Sequence, residues 1–412
     1  MDAKQNKSAA YFICDYVLYM VVYFVCSGTL LARLTGFFAM PLWLSNVLMS
    51  LPSILQITQL LGAYRYNNSP RPWAFLKKWN LLWRLCLPLV YFSVLLVRPV
   101  GAAVMVTAYI ITVALFQFIA PAHSAWLVDT VEGRVSDNYY SVRELAFMSA
   151  YTVAMLASGL LIDATDKSGR DASGAGFLLI GAATAVLVVV NIAILFKKLP
   201  PPQVDVPKKR RMPFWSLVKT PLHDKGFAPV LLFNISWNLA NMFLSGFGAL
   251  YQIRVVKIDY LFVVYCTMAA NILRAALLPF FAKLARRIGW KRVSQLSLIV
   301  VAFANVQYVF LSQQNAYWLL PIILILSQAP IAGFGIGFFK MQIAAAPAQG
   351  RSTYFAVNAA VCGIASVVGT LACSVLVGLL ERNFGTASLG LIFMVGVAFI
   401  VPAVLMIQKA KE

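Results

Sequence analysis

KKLPPPQVDVPKKRRMPFWSLVKTPLHDKG, residues 197 to 226, is the longest polar break in an otherwise apolar chain of 412 residues. It carries eight Lys and Arg against two Asp, with prolines at 200 to 202, 207, 213 and 221. Proline lacks the backbone donor and clashes with the preceding turn, so repeated prolines exclude a continuous spanning helix here. Apolar sequence of nearly equal length flanks the stretch, about 195 residues before it and about 185 after. The reading is an all-α membrane protein of two pseudo-symmetric halves: 1–196 as an N-terminal six-helix bundle, 197–226 as a basic cytoplasmic linker, and 227–412 as a C-terminal six-helix bundle.

Composition supports this division. Hydrophobic residues make up 61% of the chain and charged residues 12%, whereas soluble domains are about a quarter charged. A spanning helix needs about 20 apolar residues to cross roughly 30 Å of hydrocarbon. The first half offers spans at about 10–33, 40–62, 79–98, 101–127, 145–163 and 175–196, and the second at about 227–252, 260–284, 294–312, 317–345, 353–379 and 388–408. Twelve transmembrane helices place both termini on one side.

A net charge of +20 would suit nucleic acid, but the cations sit in short loops between apolar runs, so the expected partner is the lipid bilayer and no nucleic acid. With the termini cytoplasmic, 24 of the 34 Lys and Arg fall inside and seven outside, while Arg84, Arg274 and Lys340 lie within helices. That asymmetry follows the positive-inside rule and predicts a multi-pass protein of the cell (inner) membrane. The run after MDAKQNKSAAYF extends past residue 30 with no clear cleavage site, so it reads as a retained first helix. Six cysteines fall in apolar runs without CxxC spacing, so no disulfide, metal or cofactor is expected.

The halves show traces of duplication. Gly133-Arg134, followed by Tyr139 and Tyr140, matches Gly350-Arg351, followed by Tyr354, at an offset of 217 residues, and the same offset sets His123 opposite Lys340.

On these features the chain resembles the major facilitator superfamily of secondary transporters over essentially its whole length. That family carries two six-helix halves, a cytoplasmic linker, and a basic signature near G-x-x-x-D-R-x-G-x-K/R-R. Here the better copy is Ala282-Lys-Leu-Ala-Arg286-Arg287-Ile-Gly289-Trp-Lys291-Arg292, with Ala282 for the first Gly and Arg286 for the Asp. The first-half copy, Gly62-Ala-Tyr-Arg-Tyr66-Asn-Asn-Ser-Pro-Arg71, has Tyr66 where the family has Asp. The resemblance implies gating roles for Arg287, Gly289, Lys291 and Arg292. It also offers Asp129 and Arg143 as a substitute pairing for the latch that the missing Asp would have made.

Polar positions at helical spacing in an apolar span face a protein interface or a cavity. Asp15, Tyr19, Tyr23 and Ser27 form such a stripe on the first helix. The tyrosines read as helix packing or as a cargo surface. Asp15 reads as a proton-coupling carboxylate or as a solvated interfacial one. Asn234, Asn238, Asn241 and Ser245, with Trp237 beside them, form the cleanest stripe, either lining a wet cavity or bonding a neighbouring helix. Asn271 and Arg274 continue a similar row behind Thr267 on the eighth helix.

Arg274 and Lys340 are intramembrane cations suited to an anionic group on a cargo, and His123 is either a second proton-coupling group or structural. Gln56, Gln59, Gln117 and Asn358 are cavity candidates that interhelical contacts explain equally well. Gly333, Gly335 and Gly337 behind Pro330 predict a gating hinge and no nucleotide loop, since no strand precedes them.

The expected activity is therefore secondary transport of a small polar or anionic solute by alternating access, with the coupling ion most simply a proton and the protein a monomer. Efflux of amphipathic or lipid-like compounds, or a non-transporting receptor on the same fold, are the alternatives. An enzyme is not expected: the two histidines, His123 and His223, are far apart and form no HExxH.

Overall fold

The computed structural model describes residues 3–40, 42–131, 139–167, 174–202, 213–258, 260–348 and 350–409. Gly133 and Arg134 of the repeat, and residues 203–212 of the linker, lie outside them. The described elements are helical throughout. The chain divides into two compact units, Met1–Tyr139 with Arg143–Phe214 and Tyr140–Val142 with Trp215–Glu412.

In the first unit, α1 (Ala3–Val25) and α2 (Gly28–Phe37) replace the single span expected at 10–33. The break falls at Cys26 and Ser27, where the Ser27 hydroxyl donates to the Phe24 carbonyl at 2.8 Å. A side-chain hydroxyl competing for the backbone in this way favours helix ends. The span expected at 40–62 is likewise divided into α3 (Leu42–Ile54) and α4 (Thr58–Asn67) by a 3-10 turn at Leu55–Ile57. Next come α5 (Pro72–Phe92), α6 (Arg98–Val131), α7 (Tyr139–Lys167) and α8 (Ala175–Lys197). Helix α6 packs on α4 and α5, and α8 packs on α1 and α5. Trp83, Trp126, Tyr91 and Phe12 are the largest apolar side chains sealed in this core.

In the second unit, α9 (Phe214–His223) leads to α10 (Ala228–Asn241), whose span does not continue as a regular helix. It passes through π turns at Met242–Gly246 and Tyr251–Val255 on either side of α11 (Phe247–Leu250). Such turns are rare and recur at functional positions. Helices α12 (Tyr260–Ile288), α13 (Trp290–Val306), α14 (Ala316–Gln328), α15 (Ile331–Ala345), α16 (Arg351–Phe384) and α17 (Leu391–Lys409) complete the unit. Helix α10 packs on α16 and α17, and α13 packs on α15 and α17. Tyr308 stacks on Phe393 at 4.1 Å and accepts a 2.7 Å hydrogen bond from Gln252, which anchors the second π turn to the core.

Among the described residues nine helices are long and apolar enough to cross a membrane, and ten if α9 and α10 together count as one bent span. Twelve were expected. The two remaining segments have identifiable differences: α3 and α4 are short pieces of 13 and 10 residues, and α5 carries Lys77, Lys78 and Arg84. Large apolar side chains including Leu160, Val186, Val189, Leu371 and Val375 remain more than 60% exposed. Apolar surface of this extent needs lipid against it. The chain is a multi-pass, all-α membrane protein.

Candidate functional site

In the first unit the site is built around Asp15, in mid-α1 and 0% exposed. A bare carboxylate at such a position is prohibitively costly, so partners must come from neighbouring helices. Arg84 of α5 places Nη2 at 3.2 Å from Oδ1 and 3.4 Å from Oδ2. His123 of α6 brings Nε2 to 3.4 Å from Oδ2. Asn191 of α8 donates from Nδ2 to Oδ1 at 2.9 Å and to the Asp15 carbonyl at 3.2 Å. Arg84, His123 and Asn191 are 1%, 5% and 1% exposed. Four helices thus converge on one carboxylate.

Tyr19, one turn along α1 and half-buried, lies over this set. Its ring centroid is 5.5 Å from the Arg84 guanidinium and 5.2 Å from the His123 ring. Tyr23 continues the stripe, but it stacks on Phe116 at 3.9 Å and its hydroxyl is buried without a partner. One turn toward the N-terminus, Tyr16 donates to Glu144 at 2.8 Å, and Glu144 also takes a 2.9 Å ion pair from Arg143, whose guanidinium covers the Tyr16 ring at 4.1 Å. Helix α7 is thereby tied to α1. Asp129, the other half of the expected latch, is half-buried and acts electrostatically on Tyr66. Gln117 donates to the Pro52 carbonyl at 2.7 Å and accepts from Gln59 at 2.7 Å, serving a carbonyl next to the 3-10 break between α3 and α4.

In the second unit the asparagine stripe meets α16. Asn234 donates to Asn358 at 2.5 Å, Ser366 donates to Asn238 at 3.2 Å, and Thr370 approaches the Met242 sulfur at 3.2 Å. Asn238 also donates to the Asn234 carbonyl at 2.9 Å, and Asn241 accepts from Ser245 at 2.8 Å. Asn234 and Asn358 are buried, whereas Asn238 and Asn241 are half-buried and Ser245 is exposed. One end of the stripe is an interhelical ladder and the other reaches accessible surface.

Trp237 packs against Phe334 at 4.7 Å, and Lys340 lies 5.2 Å from the Trp290 ring. Arg274 is half-buried and Asn271 exposed. In the signature loop, Arg287 and Arg292 are exposed and Lys291 is half-buried. Gly289 has φ +83° between α12 and α13, a conformation that favours glycine. Gly333 and Gly337 sit where little space is left: an added Cβ would lie 2.6 Å from the Phe281 ring and 2.2 Å from the Ser294 hydroxyl. They are close-packing residues, as small-xxx-small spacing provides.

Sequence reasoning singled out Asp15, His123 and Tyr19, and the structure brings them together. It noted Arg84 only as lying within a helix and passed over Asn191, Glu144 and Ser366. The available signal was charge balance, since an acid and a base each buried in apolar runs of the same half call for pairing.

Fold and buried ionic site define a polytopic membrane protein of the transporter type. The sequence profile of the Major Facilitator Superfamily matches residues 80–370, and the chain belongs to that superfamily. A search of curated proteins by sequence finds no match. Among solved structures, the chain is similar to the superfamily transporter FucP in the outward conformation, with a TM-score of 0.76 and 12% identity over 98% of this chain and 99% of that one. It is similar to a bacterial homologue of the iron transporter ferroportin in the outward-facing state, with a TM-score of 0.72 and 14% identity over 99% of each chain. The proton:xylose symporter XylE gives a TM-score of 0.71 and 12% identity over 99% of this chain and 96% of that one. At these identities the likeness is one of fold.

Proposed function

We propose that the protein is a secondary active transporter that moves a small polar or anionic solute by alternating access and is driven by protons. The observation that carries this reading is Asp15: a fully buried carboxylate in a spanning helix, held by Arg84, His123 and Asn191. Ionisable groups inside membrane spans mark transport pathways and proton relays, because burial otherwise only costs stability. A sealed carboxylate exchanges its proton only when the surrounding helices part, and this links protonation to the conformational cycle. XylE, which shares the fold, is a proton:xylose symporter.

Within the second unit, Asn238 and Asn241, half-buried on α10, with Arg274 and Lys340, are the candidate solute contacts. Within the first unit they are Tyr19 and Tyr23. The protein acts as a monomer in the cell (inner) membrane with both termini cytoplasmic.

The test reconstitutes the protein in liposomes, imposes an inward proton gradient, and follows accumulation of sugars, carboxylates, amino compounds and amphipathic cations. Wild type accumulates one solute class only when the gradient is present. Asp15→Asn keeps binding, read by thermal shift, and loses accumulation. Gradient-driven accumulation that survives Asp15→Asn overturns the coupling assignment. Accumulation of amphipathic compounds alone, and only when the gradient is reversed so that the interior is acidic, would favour the efflux reading.

A further inference from the structure

Arg84 is held by a single nitrogen. Nη2 makes both approaches to Asp15, at 3.2 and 3.4 Å, longer than the 2.7–2.9 Å usual for charge-assisted bonds. Nε and Nη1 are buried without a hydrogen-bond partner. Both ring nitrogens of His123 and the Nε1 of Trp126 likewise lack a hydrogen-bond partner, with His123 Nε2 at ion-pair distance, 3.4 Å, from Asp15, and the two rings lie 5.4 Å apart. Arg84 thus pairs monodentately and loosely, although a guanidinium is built to grip a carboxylate through two parallel N–H bonds. The Tyr19 and Trp83 rings lie 5.5 Å from its centre and cover it. Tyr19 is the member of this cover that is partly exposed.

Among the described residues few charged groups face the set. Asp15 contributes one negative charge and Arg84 one positive, Asn191 none, and His123 is neutral unless protonated. Across α7, Arg143 and Glu144 cancel each other. With a neutral His123 the buried set carries no net charge, and a bound anion would leave it net negative in a sealed, low-dielectric region. One proton restores neutrality.

We propose that Arg84 is the ligand for the carboxylate of an organic monoanion, which takes the place of Asp15 on the guanidinium while one proton settles on Asp15 or His123. The binding event takes up one anion and one proton, and the charge of the buried set is unchanged. Tyr19 swings aside to admit the carboxylate, and the surrounding aromatic side chains Trp83, Phe116 and Trp126 accommodate its apolar part. This rests on the transport reading above and narrows the solute to a carboxylate. It also moves the anion contact from Arg274 to Arg84.

The test uses the full-length protein in detergent with acetate, lactate and benzoate, and with chloride, phosphate and xylose as comparisons. Monocarboxylates should raise the melting temperature, with affinity falling about tenfold per pH unit as one proton is taken up per anion. The dependence of binding enthalpy on buffer ionisation should return that single proton. Arg84→Gln alone leaves Asp15 without its cation and risks misfolding, so the informative variant is Arg84→Gln combined with Asp15→Asn. It should fold, as read by a monodisperse elution profile, and lose carboxylate binding at least tenfold. Tyr19→Ala should speed association without abolishing it.

Equal binding of carboxylate to the double variant, binding without proton uptake, or equal shifts from chloride or phosphate would each overturn the proposal. The two readings fail separately. If xylose accumulates with protons and carboxylates never bind, transport stands and the Arg84 assignment falls. If carboxylates bind through Arg84 but never accumulate, the assignment stands and the transport reading falls.

Discussion

Gly62 is where the first-unit packing leaves least room. A Cβ built on it would sit 1.6 Å from the Phe118 carbonyl oxygen, 2.7 Å from its carbon and 3.2 Å from its Cα. All three atoms are backbone, so no rotamer change on α6 relieves the clash. Carbon and oxygen normally approach to about 3.3 Å, and Gly62→Ala must therefore spread α4 from α6 by roughly 1.5 to 2 Å. Overpacking of this kind costs about 1 to 3 kcal/mol.

The same crossing carries the Gln59–Gln117 and Gln117–Pro52 hydrogen bonds, each worth about 1 kcal/mol net. A loss of about 3 kcal/mol is expected, or roughly 3 to 7 °C in melting temperature. The assay is thermal unfolding of the detergent-solubilised protein by intrinsic fluorescence. Gly159→Ala and Gly335→Ala serve as controls, since their added Cβ meets nothing within 4 Å. Both should be neutral or slightly stabilising, because alanine suits a helix better than glycine. A Gly62→Ala melting temperature within about 1 °C of wild type would refute the close crossing.

Two further experiments probe the second unit. Asn234→Leu should destabilise by about 1 to 3 kcal/mol because it strands the buried Asn358 amide; adding Asn358→Leu should recover most of that loss in unfolding experiments, and strictly additive costs would show that the pair is not an interhelical tie. Gly289→Ala, at φ +83°, should cost about 1 to 3 kcal/mol through backbone strain, and a melting temperature equal to wild type would mean that the α12–α13 turn accepts a side chain.

What the sequence made legible follows the reach of its physical signals. Apolar length and the distribution of Lys and Arg act over whole spans, so the all-helical membrane fold and the regions of its major helices were readable. Helix interruptions answer to local competition instead. The Ser27 hydroxyl bonding back to Phe24 and the 3-10 turn at Leu55–Ile57 divide runs that remain apolar throughout. Hydropathy does not register such a break. Helix α5 shows the reverse: its Lys77, Lys78 and Arg84 lower its apolar character while Arg84 itself is sealed in the core.

Periodicity has a similar limit at the candidate site. The i, i+4 spacing of Asp15, Tyr19 and Tyr23 gives a shared direction along α1, and the structure turns Asp15 and Tyr19 toward the same cluster. What lies in that direction is set by three other helices, and no spacing within one helix encodes Arg84, His123 and Asn191 as its occupants. The asparagine stripe on α10 makes the same point with the opposite emphasis. Its regularity suits a cavity wall and an interhelical ladder equally, because both require polar groups on one face. Only the partners on α16 separate the uses: Asn358 takes Asn234 into the ladder, while Asn241 bonds Ser245 on its own chain segment toward the accessible end. One periodic signal therefore covers two kinds of partner, since Asn234 and Asn238 bond α16 while Asn241 bonds within its own segment, although Thr370 of α16 still reaches Met242 beside it.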